Sequence, residues 1–296
     1  MPHDRRVLRQ DKADFAQVRH EQRKRDRKDM KASRLIFTLL LASSVAVVQL
    51  AAQQTKADQK PIEELKAKAE AGDAESQVEL GRRYDKGEGV MKDHAEAAKW
   101  YLKAAEQNYA EAQYSLGVCY LNGEGVAKRE VEAVKWFRKA AEQNFAVAQY
   151  NLGVCYEQGV AKNEREKLFP VFGGEPVEAV KWYRKAAEQN YAPAQYNLGL
   201  CYEHGNGVAA NRVEAAKWYR KAAEQNYVDA QFNLGMCYEQ ADPGTEDWAE
   251  VYKWLSLAAR QGHEGAKKFM TVLESKLMTP EQIAQGQKRA REFKPR

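Results

Sequence analysis

In residues 110–122, AEAQYSLGVCYLN, the apolar or small side chains Ala112, Leu116, Cys119 and Tyr120 fall at i, i+4, i+7 and i+8. That spacing places them on one face of a 3.6-residue period and predicts a helix. A turn with Gly123 and Gly125 follows, then a second helical stretch that ends in KWFRKAAEQN from Lys135. The same two-helix phrase opens near Ala74, Ala110, Ala146, Ala192 and Val228. Its anchors, Trp100, Trp136, Trp182, Trp218 and Trp254, are 36, 46, 36 and 36 residues apart, so the period is 36 with ten residues inserted once. Repeats of this length bury their apolar faces against one another and not in private cores, which predicts an all-α solenoid.

The helix ends are marked as clearly as the faces. Asp93, Asn211 and Asp247 stand where second helices begin and can cap them. Gly72, Asn108, Asn144, Asn190, Asn226 and Gly262 share one position at the end of a helix, and Gly and Asn most readily take the left-handed closing conformation. Pro193 sits in a first turn, where proline is tolerated. Residues 61–73, opened by Pro61, match the second half of a unit and predict an N-terminal capping helix; five repeats span 74–264. The ten extra residues fall in unit 3, near 161–174, and include the apolar Leu168, Phe169, Val171 and Phe172. Unit 5 replaces its glycine turn with Ala241-Asp242-Pro243-Gly244 and adds Trp248. Residues 265–296 form a C-terminal helical cap whose last helix starts at the capping box Thr279-Pro280-Glu281-Gln282.

Ala112, Leu116, Gly117, Tyr120, Gly123, Gly125, Val126, Ala133, Lys135, Trp136, Phe137, Lys139, Ala140 and Ala141 together resemble the Sel-one-like repeat, a relative of the tetratricopeptide repeat. The tetratricopeptide signature itself is only partly present, with Gln113 where its Trp would be. The resemblance implies a right-handed α-α superhelix that acts as an adaptor for protein partners. One branch of that family carries two cysteines per repeat in disulfides and is associated with β-lactam binding; this chain has one per repeat.

Charge changes the picture only at the N-terminus. The net charge of +5 comes from residues 1–34, with 12 Lys or Arg against 6 Asp or Glu; the other 35 basic and 36 acidic residues leave −1. A nearly neutral repeat body gives no reason to expect nucleic acid, which needs clustered cationic surface. Residues 1–29 are charged, poor in apolar side chains and aperiodic, an extension upstream of Met30 as the natural start. From Met30 a basic start (Lys31, Arg34), an apolar centre (Leu35 to Leu41) and a small-residue end make 30–52 a signal peptide. Alternatively, the uncharged run 35–55 anchors the chain in a membrane, since about 20 residues span a bilayer. Residues 53–60 read as a linker. Either way the repeats are expected outside the cytoplasm, periplasmic or extracellular, with membrane contact only through an uncleaved N-terminal segment.

No catalytic arrangement stands out, and neither a metal nor a cofactor is expected. His3, His20, His94, His204 and His263 share no spacing with acidic or nucleophilic partners. The GEGV and GNGV turns join helix to helix and lack the Gly-Lys-Ser/Thr ending of a phosphate loop. Cys119, Cys155, Cys201 and Cys237 occupy one repeat position; units packed about 10 Å apart hold them beyond the about 7 Å a disulfide spans, which predicts reduced, buried thiols. The Trp and Tyr of KWY read as interlocking core, and the Lys and Arg around them as a solvated face.

A binding strip follows from the first helices. With Ala148 at zero, Leu152, Cys155 and Tyr156 face one neighbour, Tyr150 and Val154 lie nearly opposite, and Asn151 and Gln158 fall in the gap. Ser115 and Asn122, Asn197 and His204, and Asn233 and Gln240 are their equivalents. Stacked, they form a polar ladder able to hydrogen-bond an extended peptide. A second candidate contact is the insertion, through Leu168, Phe169 and Phe172, because exposed apolar patches mark contacts. The expectation is an exported, non-enzymatic scaffold for a protein or peptide ligand; the alternatives are a cell-envelope binder or hydrolase-like protein acting on cell-wall material, and a membrane-tethered spacer.

Overall fold

The computed structural model describes residues 62–160, 175–239 and 247–295. Two compact units are distinguished, Met1–Glu64 and Leu65–Arg296. Of the first, only residues 62–64 are described, the opening turn of a helix over 62–70 (α1). The second is helical in all its described elements: Ala74–Lys86 (α2), His94–Glu106 (α3), Ala110–Asn122 (α4), Glu130–Glu142 (α5), Ala146–Glu157 (α6), Pro176–Glu188 (α7), Ala192–His204 (α8), Arg212–Glu224 (α9), Val228–Glu239 (α10), Trp248–Arg260 (α11), Glu264–Val272 (α12) and Pro280–Glu292 (α13). One π-helical turn, Leu273–Leu277, follows α12. Each first helix packs on its own second helix, each second helix packs on the next unit's first, and α13 doubles back onto α11. This is a solenoid of helical repeats.

The helices start and stop for local reasons. Asp93 accepts from the amides of Ala95 and Glu96, and Asn211 and Asp247 from those of Glu214 and Glu250. Asn108, Asn144, Asn190 and Asn226 take φ of 62°, 66°, 63° and 67°, the left-handed stop that lets the chain reverse into the next unit. Thr279 and Gln282 form a reciprocal capping box ahead of α13. The insertion leaves this frame intact: the Glu175 amide donates to the Tyr156 carbonyl at 2.8 Å, as Arg129 does to Tyr120 at 2.8 Å and Asn211 to Tyr202 at 2.7 Å. Pro61 and residues 161–174 lie outside the described residues.

The core repeats with the chain. Leu80, Leu116, Leu152, Leu198 and Leu234 are at most 1% exposed, and Phe137, Tyr183 and Tyr219 are fully buried. These rings lie directly on a first-helix glycine: a Cβ on Gly117 would sit 2.6 Å from the Phe137 ring, and one on Gly153 2.6 Å from that of Tyr183. Only glycine admits that approach, which explains the Leu-Gly pair of every unit.

The expectation that both aromatics of KWY are core needs correction. The second is buried in every unit and Trp100 is buried in the first, whereas Trp136, Trp182 and Trp218 are half-buried at the edge. One residue is a rotation of about 100°, so when the Phe or Tyr points inward its neighbour reaches the rim. There the ring is covered by a lysine three residues on, with Lys139, Lys185 and Lys221 each 4.1 Å from the ring centre. Trp254 alone of these is deeply buried at 2% exposure, because Phe293 of the C-terminal segment packs edge-on against it at 5.4 Å.

Candidate functional site

A buried row of carboxamides runs through the solenoid. Gln77, Gln113, Gln149, Gln195 and Gln231 are at most 4% exposed. Each donates from Nε2 to the carbonyl of an alanine in the preceding helix, for example Gln149 to Ala141 at 3.0 Å and Gln195 to Ala187 at 3.1 Å. Each Oε1 in turn accepts from a glutamine at the end of the second helix: Gln107 to Gln77 at 2.7 Å, Gln143 to Gln113 at 2.7 Å, Gln189 to Gln149 at 2.6 Å, Gln225 to Gln195 at 2.8 Å and Gln261 to Gln231 at 2.9 Å. The left-handed asparagines join the row, Asn108 Oδ1 accepting from Gln113 at 3.0 Å and from Gln143 at 3.2 Å. A buried amide is stable only when its donors and acceptors are matched, and here the matching partner comes from the neighbouring turn. Sequence reasoning missed this row. The signal was available: a glutamine recurs beside Tyr120 on the apolar face of each first helix, where an unpaired polar side chain would be costly.

The expected polar ladder divides in two. Ser115, Asn151, Asn197 and Asn233 are half-buried in mid-helix; Asn122, Gln158 and His204 are exposed at helix ends. Asn122 and His204 precede the left-handed Gly123 and Gly205, and Gln158 is the C-cap of α6. Gln240, Leu168, Phe169 and Phe172 lie outside the described residues.

The mid-helix asparagines are engaged with tyrosines. Asn151 lies beside the Tyr114 hydroxyl, Asn197 beside those of Tyr150 and Tyr183, and Asn233 beside those of Tyr196 and Tyr219, while Asn151 Nδ2 donates to the Val147 carbonyl at 2.9 Å. Around them the rings of Tyr114, Tyr150 and Tyr196 lie 5.8 Å from Phe137, Tyr183 and Tyr219, and 5.7, 5.5 and 5.2 Å from Phe145, Tyr191 and Tyr227. Tyr191 influences the ionisation of Tyr114, Tyr150 and Tyr227, and Tyr227 that of Tyr150. Aromatic rings from successive units therefore line this face. Burial first, then neighbouring hydroxyls and carboxylates, hold Tyr114, Tyr150, Tyr196 and Tyr227 above the usual phenol range. The strip itself is built of neutral donors and acceptors, with Glu157, Glu203 and Asp229 near its tyrosines.

The opposite side is charged but ordered. Lys135, Lys181 and Lys217 pair with glutamates three residues earlier. Arg138, Arg184 and Arg220 reach forward to the hydroxyls of Tyr156, Tyr202 and Tyr238 in the following unit. The four cysteines are free thiols, Cys237 half-buried and the others buried. Burial pushes Cys119 and Cys201 up to about 12, and Cys155 and Cys237 to about 11, so they are protonated and unreactive at neutral pH. His263 caps α12 and stacks on Phe232 at 4.3 Å. Although the histidines share no sequence spacing with acidic residues, His94 Nδ1 lies 2.7 Å from Asp85 Oδ1 and His263 Nε2 lies 3.7 Å from Asp229 Oδ1. Sequence spacing hid this because the partners come from different elements.

A model of the Sel1 repeat matches residues 74–109, 110–145, 146–166, 174–191, 192–227 and 228–263, the third unit being matched on either side of its insertion. Among solved structures, a Sel1 repeat protein from Oxalobacter formigenes is 36% identical with a TM-score of 0.59, covering 73% of this chain and 84% of its own. A protective antigen present in uropathogenic Escherichia coli strains, described as displaying an SLR fold, is 29% identical with a TM-score of 0.50, covering 77% of this chain and 55% of its own. The search of curated proteins gives no match.

Proposed function

Because the chain belongs to the Sel1 repeat family, whose repeats serve as scaffolds for protein–protein interaction, we propose that it is a non-enzymatic adaptor that docks a protein or peptide segment along the tyrosine–asparagine face of its first helices. The observation that carries this is the run of ring contacts Tyr114–Phe145, Tyr150–Tyr191 and Tyr196–Tyr227, 5.2–5.7 Å apart, beside the half-buried Asn151, Asn197 and Asn233. Tyrosine offers large, rigid contact area at low entropic cost and asparagine offers adaptable hydrogen bonding, the mixture that recognition surfaces favour. The absence of net charge on the repeat body suits a polypeptide better than a nucleic acid. The plan of residues 30–52 supports a location outside the cytoplasm.

Site-specific photo-crosslinking tests both parts. A crosslinker at Asn197 or Asn233 should capture a polypeptide in the cell envelope, and one at Lys181 or Lys217, on the charged side, should not. Capture from the lysine positions alone would reject the strip as the docking face. Capture of cytoplasmic proteins alone would reject export.

A further inference from the structure

We propose that Asp85, His94 and Glu124 form a binding site for one divalent transition-metal ion of the zinc class, joining the first repeat to the second. Each offers one ligand atom, and these atoms lie within 4.8 Å of one another. The three come from separate elements: Asp85 from the end of α2, His94 from the first turn of α3, and Glu124 from the turn after α4. The backbone fixes two of them. Gly125, next to Glu124, is seated so tightly on the start of α3 that a Cβ there would fall 2.0 Å from the His94 carbonyl oxygen.

The rest of the array shows what this junction has in place of the usual contacts. The same seating recurs at Gly207, which lies against Pro176, but there the corresponding side chains are Glu157, Pro176 and Asn206, which supply no imidazole. In that unit the glutamate accepts a hydrogen bond from a buried tyrosine, Tyr183 Oη to Glu157 at 2.6 Å, and the next unit repeats it with Tyr219 and Glu203 at 2.5 Å. Asp85, one methylene shorter, turns instead to His94. Unit 2 has Phe137 and Leu121, dispensing with hydroxyl and carboxylate together.

The junction thus gathers two carboxylates and an imidazole, and no lysine or arginine among the described residues pairs with Asp85 or Glu124. Two like charges held together favour a cation between them. One imidazole with two carboxylates is a donor set suited to Zn²⁺, Co²⁺ or Ni²⁺, with the remaining positions left to water. The side chains of Asp85 and His94 are 38% and 37% exposed, open enough for an ion to enter and for rotamers to close on it.

The test uses the full chain and Zn²⁺ alone, read by competition with a chromogenic chelator and by the thermal midpoint. One equivalent should bind and raise the midpoint, and Co²⁺ should give a visible ligand-field spectrum. Glu124→Gln and His94→Gln should each weaken binding by at least about tenfold, since even residues behind a metal ligand cost that much when lost. Glu124 has no ion pair to forfeit, so its variant should keep the metal-free midpoint. Equal binding by the wild type and both variants, no binding at all, or a preference for Ca²⁺ over Zn²⁺ would overturn the proposal.

Discussion

Two rows of carboxamides run along this molecule, and they differ in what they answer to. The glutamines at 77, 113, 149, 195 and 231 are buried and the same in all five units. The row at 79, 115, 151, 197 and 233, two residues further on, reads Glu, Ser, Asn, Asn, Asn. The first closes a hydrogen-bond chain between helices, where an apolar side chain would leave a buried alanine carbonyl without its partner. The second faces a half-open strip where water or a partner can complete the bonding. A position fixed by internal partners cannot vary; one completed from outside can.

Breaking the first row should cost most. Gln149→Leu strands the buried Ala141 carbonyl, while the exposed Gln189 amide turns to water, and should lower stability by about 1–3 kcal/mol. Because units couple only to their neighbours, chemical denaturation should then show two steps instead of one. Tyr183→Phe, which removes the bond to Glu157, should cost about 1 kcal/mol. Adding Glu157→Leu copies unit 2 and should recover most of it, a coupling readable in a double-mutant cycle. Asn197→Ala, in the outward row, should cost less than about 1 kcal/mol while abolishing crosslinking along the strip. A larger loss of stability than that of Gln149→Leu would reverse the assignment of the two rows.

The smallest effect at neutral pH concerns the thiols that share the buried face with the glutamines. Their folded values are raised to about 11 and about 12, so the unfolded chain, with thiols near the ordinary value of about 8.5, loses protons first as pH rises. Stability from the neutral thiols should be intact below about pH 8.5 and be lost progressively between there and about pH 12. Thermal scans across that range check it, as does resistance of the native chain to alkylation at pH 8.

Much of this was legible in the sequence because a repeat states its rules five times. Helix starts, the left-handed asparagines and the capping residues are local effects, and local residues reveal them. Trp136, Trp182 and Trp218 were misplaced, unlike Trp100 and Trp254, because periodicity groups neighbours within about 100° and does not say which of two adjacent aromatics takes the centre. The asparagines were found, but not their tyrosine neighbours, since Tyr150 and Asn197 are 47 residues apart and meet only through stacking. The Asp85–His94–Glu124 cluster is the extreme case: three elements from two units, with no shared period to betray it.

The glutamine chain also has a mechanical side. Alternating covalent and hydrogen-bonded links run from Gln77 to Gln261 along one edge of the stack, and the ten extra residues of unit 3 do not interrupt them. Pulling two adjacent turns apart must therefore break at least one of these pairs at each seam, so a load along the stack is passed from unit to unit.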